Sequence, residues 1–446
     1  MWILIMIEQI ALLVVGMLIH KGTEKKIFII FNVYWVGLLI LLKIVPFGGY
    51  AISNNTFIMI MLFLFFINLG FLLGGKKRES DNASIRNEVE RSYEYAISNK
   101  LVCMYLILSM LFLIYYAVRY YIIVQEVGGV EARNIRYFVG PLFRSTPEIL
   151  FYNYIIVPSK YLSCFFIAYG FFRGRFKCKE LIVPGIVLIL SCYIGGGRMD
   201  IVYLLFAIVF AFLFKERSSI RLTNKGILWK KRGLIIVLLG IVASVGIMLA
   251  MIYLTAYRSN QYSLSFSIIG KYGVKLFEHV VGYNIGPFGA LDVAIQEGIL
   301  KNKWYVARST IFGGIEEVLQ YFMSYLGVSF VGARNELGMV LNQPITVGNL
   351  TFNALLTALC WFYSDLGILG IVIYSFLFGF LVRYSISKFY NCKNVFVMAI
   401  LFHLLYQYMV LNLNWYLVTV GNMFYVIGLF YLSKQYGKWR RHKGFS

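Results

Sequence analysis

Long apolar runs separated by short polar segments dominate the chain, and they predict a protein built from membrane-crossing helices. A helix needs about 20 largely apolar residues to cross a bilayer. Eleven runs approach that length: 2–18, 27–42, 57–73, 101–124, 150–172, 181–194, 199–214, 234–254, 355–381, 395–411 and 416–432. We therefore predict an all-α polytopic membrane protein with about 11 spans.

The basic residues between these runs predict how the helices are oriented. Short cytoplasmic loops of membrane proteins are enriched in lysine and arginine. If the N-terminus lies outside, every short basic cluster falls on the inner side, in segments 21–26, 76–91, 173–179, 215–232, 383–393 and 434–443. The pattern thus predicts an outer N-terminus and an inner C-terminus.

One connecting segment, 255–354, is too long and too polar to be a simple turn between the eighth and ninth spans. Loops of this length are usually functional or disordered. Its many aromatic residues and apolar stretches favour a folded extracytoplasmic cap with helices. Residues 316–331 fit either an amphipathic helix at the membrane interface or a re-entrant segment. We treat residues 1–446 as a single integral membrane domain that includes this cap.

Composition agrees with the membrane assignment and excludes other classes. The chain is 60% hydrophobic and 14% charged, with a mean hydropathy of +0.74. The formal net charge of +22 would suggest nucleic acid in a soluble protein. Here the basic residues follow the loops, so no nucleic-acid partner is indicated. The 6 cysteines are scattered without metal-ligand spacing.

The sequence GGGRMD joins the two short predicted spans six and seven, and we call Gly195, Gly196 and Gly197 the glycine hinge. Glycines allow backbone conformations that other residues resist, and they let a ligand approach closely. Arg198 and Asp200 lie at the start of the following helix, whose N-terminus favours anions. The alternative is an ordinary turn in which Arg198 reaches to the interface.

Further arginines fall on the predicted outer face, where the orientation rule does not expect them. Arg258 follows span eight, while Arg133 and Arg136 follow span four. Arginine suits phosphate because its planar guanidinium donates paired, charge-assisted hydrogen bonds. Together with Arg198, these residues are candidates for binding a lipid diphosphate at interface depth. The alternative is that they are interfacial anchors.

Three residues of the cap are candidates for a general base. His279 can meet a water-soluble substrate, and a histidine near neutral pKa can take a proton from a sugar hydroxyl. Glu278 and Asp292 are the competing carboxylates. A lone loop histidine is more often structural. For Asp365, at the start of span nine, a helix-capping role is the simple interpretation.

Several motifs are absent from the sequence. It contains no Walker motif, no GxSxG and no HExxH, and no acidic cluster typical of a metal site. Acidic residues are scarce within the predicted spans, whereas ion-coupled transporters place ionisable groups at mid-membrane. ATP-driven and ion-coupled transport are therefore disfavoured.

The run TFNALLT at 351–357, followed by FYSDLGILG at 362–370, is similar to a motif of Wzy-type oligosaccharide repeat unit polymerases. The glycine hinge with Arg198, the arginine after span eight and the large loop before the last three spans also resemble that family. The chain departs from the pattern at Leu356, where the family motif has tyrosine.

The resemblance implies a metal-independent glycosyltransferase without a cofactor, multi-pass in the bacterial cytoplasmic membrane with its active site facing outward. Its substrates would be undecaprenyl-diphosphate-linked oligosaccharide and polysaccharide. A chain-length regulator is an implied partner. A lipid-linked oligosaccharide flippase and a ligase-like glycan transferase are the alternative functions.

Overall fold

The computed structural model describes residues 1–45, 50–75, 82–135, 140–172, 178–195, 199–214, 249, 252, 266–341, 343–348, 350–352 and 357–443. Regular structure in these ranges is almost entirely helical. The first ten helices are α1 (Trp2–Ile19), α2 (Gly22–Ile44), α3 (Asn54–Leu73), α4 (Asn82–Ser98), α5 (Lys100–Val127), α6 (Gly129–Ile135), α7 (Thr146–Phe151), α8 (Val157–Phe172), α9 (Cys178–Gly195) and α10 (Met199–Phe214).

The C-terminal half continues with α11 (Phe266–Gln296), α12 (Gly313–Tyr325), α13 (Ala333–Leu341), α14 (Ala358–Leu366), α15 (Ile368–Cys392), α16 (Val395–Met409) and α17 (Val420–His442). A π-helical turn, Tyr152–Ile156, joins α7 to α8, and a 3₁₀ turn, Tyr416–Val418, precedes α17. The strands β1 (Ile345–Val347) and β2 (Leu350–Phe352) form a small antiparallel hairpin.

Six helical segments in the described ranges are long and apolar enough to cross a membrane: Trp2–Ile19, Gly22–Ile44, Asn54–Leu73, Lys100–Val127, Thr146–Gly170 and Ile368–Cys392. Three shorter apolar helices, Glu180–Gly195, Met199–Phe214 and Val395–Met409, match further predicted spans. The all-α membrane class is thereby confirmed. Apart from residues 249 and 252, the predicted span 234–254 lies outside the described residues.

Two predicted spans have the wrong bounds. The ninth, 355–381, is interrupted at Gly367, which ends α14 and begins α15 with φ 62° and ψ −140°. The positive φ favours glycine here, and a Cβ would lie 2.7 Å from Nδ2 of Asn302, so a larger residue would also crowd the cap. The last predicted span, 416–432, begins with the 3₁₀ turn, and its α-helix starts only at Val420.

Helices α3 and α15 pack very closely, because glycines let their backbones come into contact. A Cβ on Gly70 would lie 2.0 Å from the Phe376 carbonyl oxygen, and one on Gly379 would lie 2.0 Å from the Ile67 carbonyl oxygen. Small residues allow this approach between membrane helices, where van der Waals packing drives association.

The cap and the apolar helices share one hydrophobic core. Ile285, Phe288 and Leu291 of α11 are completely buried in it, and the rings of Trp35 and Phe288 lie 5.7 Å apart. The hairpin covers α11 from the other side, since Val347 packs against Gly289. The C-terminal half of α11 is therefore inserted among the apolar helices rather than resting above them.

Several contacts join segments that the sequence predicts to lie on the same side of the membrane. At one end, Glu24 pairs with Arg383 at 2.5 Å. Glu88 accepts a hydrogen bond from Tyr436 at the same end. At the other end, the segment before α3 binds α11 through Ser53. The set of helices thus has two distinct ends, and the cap lies at the same end as the segment before α3.

Candidate functional site

The predicted site residues divide into those that the structure describes and those outside its described ranges. Residues 196–198, Arg136 and Arg258 fall outside those ranges. Helix α6 contains Arg133, and the N-terminal half of α11 contains His279 and the exposed Glu278.

The end of α9, just before the hinge, and the arginine-bearing helix α6 share one hydrophobic cluster. Ile194, immediately before the glycine hinge, and Ala132, immediately before Arg133, are both buried in it. The rings of Tyr120 on α5 and Tyr193 on α9 lie 5.4 Å apart in this region. The end of α9 and helix α6 therefore pack in one cluster with the C-terminal half of α5.

A largely buried ion pair lies beside Gly195, the first residue of the hinge. Nζ of Lys160 on α8 is 2.6 Å from Oδ1 of Asp200, in the first turn of α10, and the two side chains are 19% and 12% exposed. This contact fixes the helix turn that directly follows Arg198. The pair also lies just after the π-helical turn, a distortion that occurs frequently at functional sites.

From the sequence alone, no role was proposed for Lys160, and Asp200 was noted only as a neighbour of Arg198 at the start of a helix. A signal for Lys160 existed, because a lysine inside an otherwise apolar span is rare and usually functional. Its partner, 40 positions away, was not readable from the sequence.

Aromatic rings and a histidine pack beside Lys160, whose Nζ lies 5.2 Å from the centre of the Tyr161 ring. The ring of Tyr161 lies 4.9 Å from that of Tyr203 and 5.0 Å from that of His403. The Tyr203 hydroxyl is 3.3 Å from Nδ1 of His403, whose Nε2 has no hydrogen-bond partner among the described residues. Charges beside these packed rings are screened less than charges in water. The Lys160–Asp200 attraction is therefore stronger than at a surface.

Between α16 and α17 the chain is largely non-helical over residues 410–419, which we call the unwound segment. Its polar groups are satisfied by side chains. Gln407 donates to the carbonyl of Asn414 at 2.9 Å and accepts from the Tyr416 amide at 3.0 Å. The Trp361 indole donates to the Asn414 side chain at 2.8 Å. Irregular backbone at membrane depth is tolerated when it is buried in protein and satisfied in this way.

The unwound segment also anchors α11. The Asn412 amide donates to Oδ1 of Asn284 at 2.9 Å, and the Tyr34 hydroxyl lies 2.7 Å from the same oxygen. Asn284 lies five residues beyond His279 on α11. The helix that contains the base candidates is therefore anchored to the unwound segment and to α2.

Asp292 anchors α11 to the segment before α3. Its carboxylate accepts hydrogen bonds from the Tyr50 hydroxyl, the Ser53 amide and hydroxyl, the Thr56 hydroxyl and the Gln296 amide. Burial and the neighbouring carboxylate raise the pKa of Tyr50, which keeps the phenol protonated as a donor. Asp292 is completely enclosed by these donors, and its contacts favour an anchoring role over that of a base.

Replacing Asp292 by asparagine is expected to lower the free energy of unfolding by about 1–3 kcal/mol, because donors lose a charged acceptor. The measurement is thermal unfolding of the purified protein in detergent. Glu297→Gln removes an exposed carboxylate five residues away and serves as the control. A normally stable but inactive Asp292→Asn protein would instead make Asp292 the base.

Asp365 does not cap a helix N-terminus, which corrects the simple interpretation from sequence. It lies near the end of α14 and accepts hydrogen bonds from the Ser309 amide at 2.8 Å and the Thr310 amide at 3.1 Å. The Lys303 amide donates to the carbonyl of Ser364 at 2.9 Å. The FYSDLG part of the family-like motif therefore holds the cap segment 303–310.

Within the described ranges, no group of three or more His, Cys, Asp or Glu side chains is arranged to hold a metal ion. Comparison with protein-family models, characterised proteins and solved structures finds no match for the chain. What the fold defines is an all-α membrane protein with a helical cap.

Proposed function

We propose that this protein polymerises lipid-linked oligosaccharide repeat units into a bacterial surface polysaccharide, such as O-antigen or capsule. The observation that supports this most is the position of the glycine hinge. Its first residue, Gly195, lies beside Asp200 of the Lys160–Asp200 pair, and Ile194 before it packs in the same cluster as α6, which contains Arg133. Arginines that follow the ends of apolar helices suit a lipid diphosphate, because guanidinium groups donate paired, charge-assisted hydrogen bonds to phosphate.

The proposed orientation places the cap, the hinge and α6 outside the cytoplasmic membrane. The basic clusters of the opposite end then face the cytoplasm, as the positive-inside rule expects. The contacts of Glu24 with Arg383 and of Glu88 with Tyr436 join segments assigned to that inner side. Both lipid-linked substrates would reach the site from the outer leaflet.

In the proposed reaction, a hydroxyl oxygen of the acceptor repeat unit attacks the anomeric carbon of the donor glycan. The bond from that carbon to the diphosphate oxygen breaks, and undecaprenyl diphosphate leaves with the electron pair. Arg198 and Arg258, supported by Arg133 and Arg136, stabilise the negative charge that grows on the diphosphate. No metal or other cofactor is required in this scheme.

The acceptor proton goes to a base on α11. His279 is the leading candidate and Glu278, which is exposed, is the second. Both precede the anchored part of the helix, where Asn284 binds Asn412 and Tyr34. A helix fixed at one end can hold such a base at a constant distance from the hinge.

Deletion of the gene tests this function against its alternatives through the glycans that accumulate. Loss of a polymerase leaves single repeat units on the outer side of the membrane. Loss of a flippase leaves them on the inner leaflet, whereas loss of a ligase leaves finished polymer on its lipid carrier. Either of the last two outcomes would contradict the proposal.

A further inference from the structure

Arg119 is a charged residue within α5, one of the helices apolar enough to cross a membrane, and no role was predicted for it from the sequence. Ionisable residues within spans are rare and usually functional. Helix α5 has 28 residues, whereas about 20 suffice to cross the apolar core. Counted from Lys100 on the predicted inner side, the crossing ends near Arg119. In the proposed orientation, Arg119 therefore lies at the outer interface, and about two turns of α5 project beyond it.

A cavity of about 410 Å³ lies beside these last turns. It is lined by five residues of α5, by one residue of α6 and by one residue before α7: Arg119, Ile122, Ile123, Glu126, Val127, Ile135 and Pro141. The spacing of the α5 residues places them on one face of the helix. Since Glu126 lies about two turns beyond Arg119, the cavity has a basic group at its inner end and a carboxylate at its outer end. Its volume is typical of small-molecule sites, which measure about 300–1,000 Å³.

The guanidinium group of Arg119 is held loosely. Nη1 is 3.1 Å from the Tyr115 hydroxyl and 3.4 Å from Oε1 of Glu148, and Nη2 is 3.1 Å from the Pro141 carbonyl oxygen. Charge-assisted hydrogen bonds are usually about 2.7–2.9 Å long. Glu148 is bound more tightly by the Arg144 amide, at 2.6 Å. Among the described residues, Arg119 uses only Nη1 and Nη2 in these bonds, so Nε is left to a ligand.

The cavity adjoins the hydrophobic cluster beside the proposed diphosphate site. Ile123 lines the cavity and also belongs to that cluster, which contains Ala132 immediately before Arg133 and Ile194 immediately before the glycine hinge. The cavity therefore shares a wall with the packing that positions α6 and the end of α9.

We propose that this cavity binds the head of a lipid-linked glycan, with Arg119 on a phosphate group at interface depth and the first sugar beyond it. Arginine donates paired hydrogen bonds to phosphate. Glu126 accepts hydrogen bonds from sugar hydroxyls, and Ile122 and Val127 contact the carbon faces of the ring. A membrane phospholipid fits less well, because its chains run toward the bilayer centre and leave the cavity unfilled. The inference rests on the proposed function and adds a sugar subsite to it.

Equilibrium binding to the purified full-length protein in detergent tests the proposal. The radiolabelled probes are undecaprenyl diphosphate and the lipid-linked repeat unit, and unlabelled phosphatidylglycerol is the competitor. Arg119→Gln keeps a donor for the Pro141 carbonyl but removes the charge, so both probes should bind about 10-fold to 100-fold more weakly. Glu126→Ala should weaken only the sugar-bearing probe. Glu148→Gln removes the competing carboxylate and should bind both probes at least as tightly as wild type. Arg144→Ala is the control and should change neither affinity.

Three results would overturn the proposal. Unchanged affinity of folded Arg119→Gln for both probes would remove Arg119 from the site. Equal weakening by Glu148→Gln would limit Arg119 to bracing the helix. Displacement of the probes by equimolar phosphatidylglycerol would make the cavity a general phospholipid site. An unchanged affinity of Glu126→Ala for the repeat unit would contradict the sugar subsite.

The binding measurement does not require turnover, so it separates this inference from the polymerase activity. Wild-type protein that binds both probes selectively but extends no glycan would contradict the polymerase proposal alone. Wild-type protein that extends glycans, together with unchanged probe affinity in Arg119→Gln, would contradict the cavity inference alone.

Discussion

Arg198→Ala is expected to abolish long-chain polysaccharide while the protein still inserts into the membrane. In the proposed reaction, Arg198 stabilises charge that develops as the diphosphate leaves. Losing one such donor typically lowers the rate about 10²–10³-fold. The measurement is the ladder of chain lengths in a deletion strain complemented with each variant, at matched protein levels.

Arg144→Ala is the matched control, because Arg144 is exposed in a segment assigned to the same outer face but is not part of the proposed site. It should give a normal ladder. Arg198→Lys keeps the charge but loses the paired donors, so it should retain only part of the activity. A normal ladder in Arg198→Ala would remove Arg198 from the site.

Breaking the Lys160–Asp200 pair is the second change with a large expected effect. Lys160→Ala leaves the Asp200 carboxylate buried without the cation 2.6 Å away. Removing one partner of a buried pair typically costs about 3–5 kcal/mol. We expect a loss near the lower end of this range, because both side chains are partly exposed to solvent. Thermal unfolding of the purified protein in detergent measures the loss.

A double variant separates stability from function at this pair. Lys160→Met/Asp200→Leu removes both charges, and apolar replacements of buried pairs are often neutral or stabilising. We expect the double variant to unfold near the wild-type temperature but to make shorter polysaccharide, because the turn after Arg198 is no longer fixed. Wild-type chain lengths in this stable protein would limit the pair to a structural role.

The long spans could be predicted because hydropathy alone decides whether a helix can face lipid. The break at Gly367 could not, since apolar residues stand on both sides of it and a single glycine within an apolar run can also continue a helix. The insertion of α11 among the spans was missed as well. Its buried run, 285–294, is short, and the contacts that fix it, such as those of Asn284, are made with α2 and the unwound segment.

The site was only partly predictable. The hinge was recognisable from consecutive glycines beside an arginine, which is a local pattern. Lys160 was missed because one charge hardly changes the hydropathy of a long apolar run. The anchoring contacts of Asp292 were not visible because its donors Ser53 and Thr56 lie more than 200 positions away. Sequence spacing reports neighbours on one helix, whereas these contacts are made by the tertiary fold.

Extension of lipid-linked repeat units by the purified protein is the most direct test of the proposed polymerase activity. The protein is reconstituted in vesicles with undecaprenyl-diphosphate-linked repeat units, with a chelator present and without nucleotide. We expect a ladder of longer lipid-linked glycans with wild-type and Arg144→Ala protein, and single units with Arg198→Ala. Absence of extension by the folded wild-type protein, or equal extension by Arg198→Ala, would contradict it.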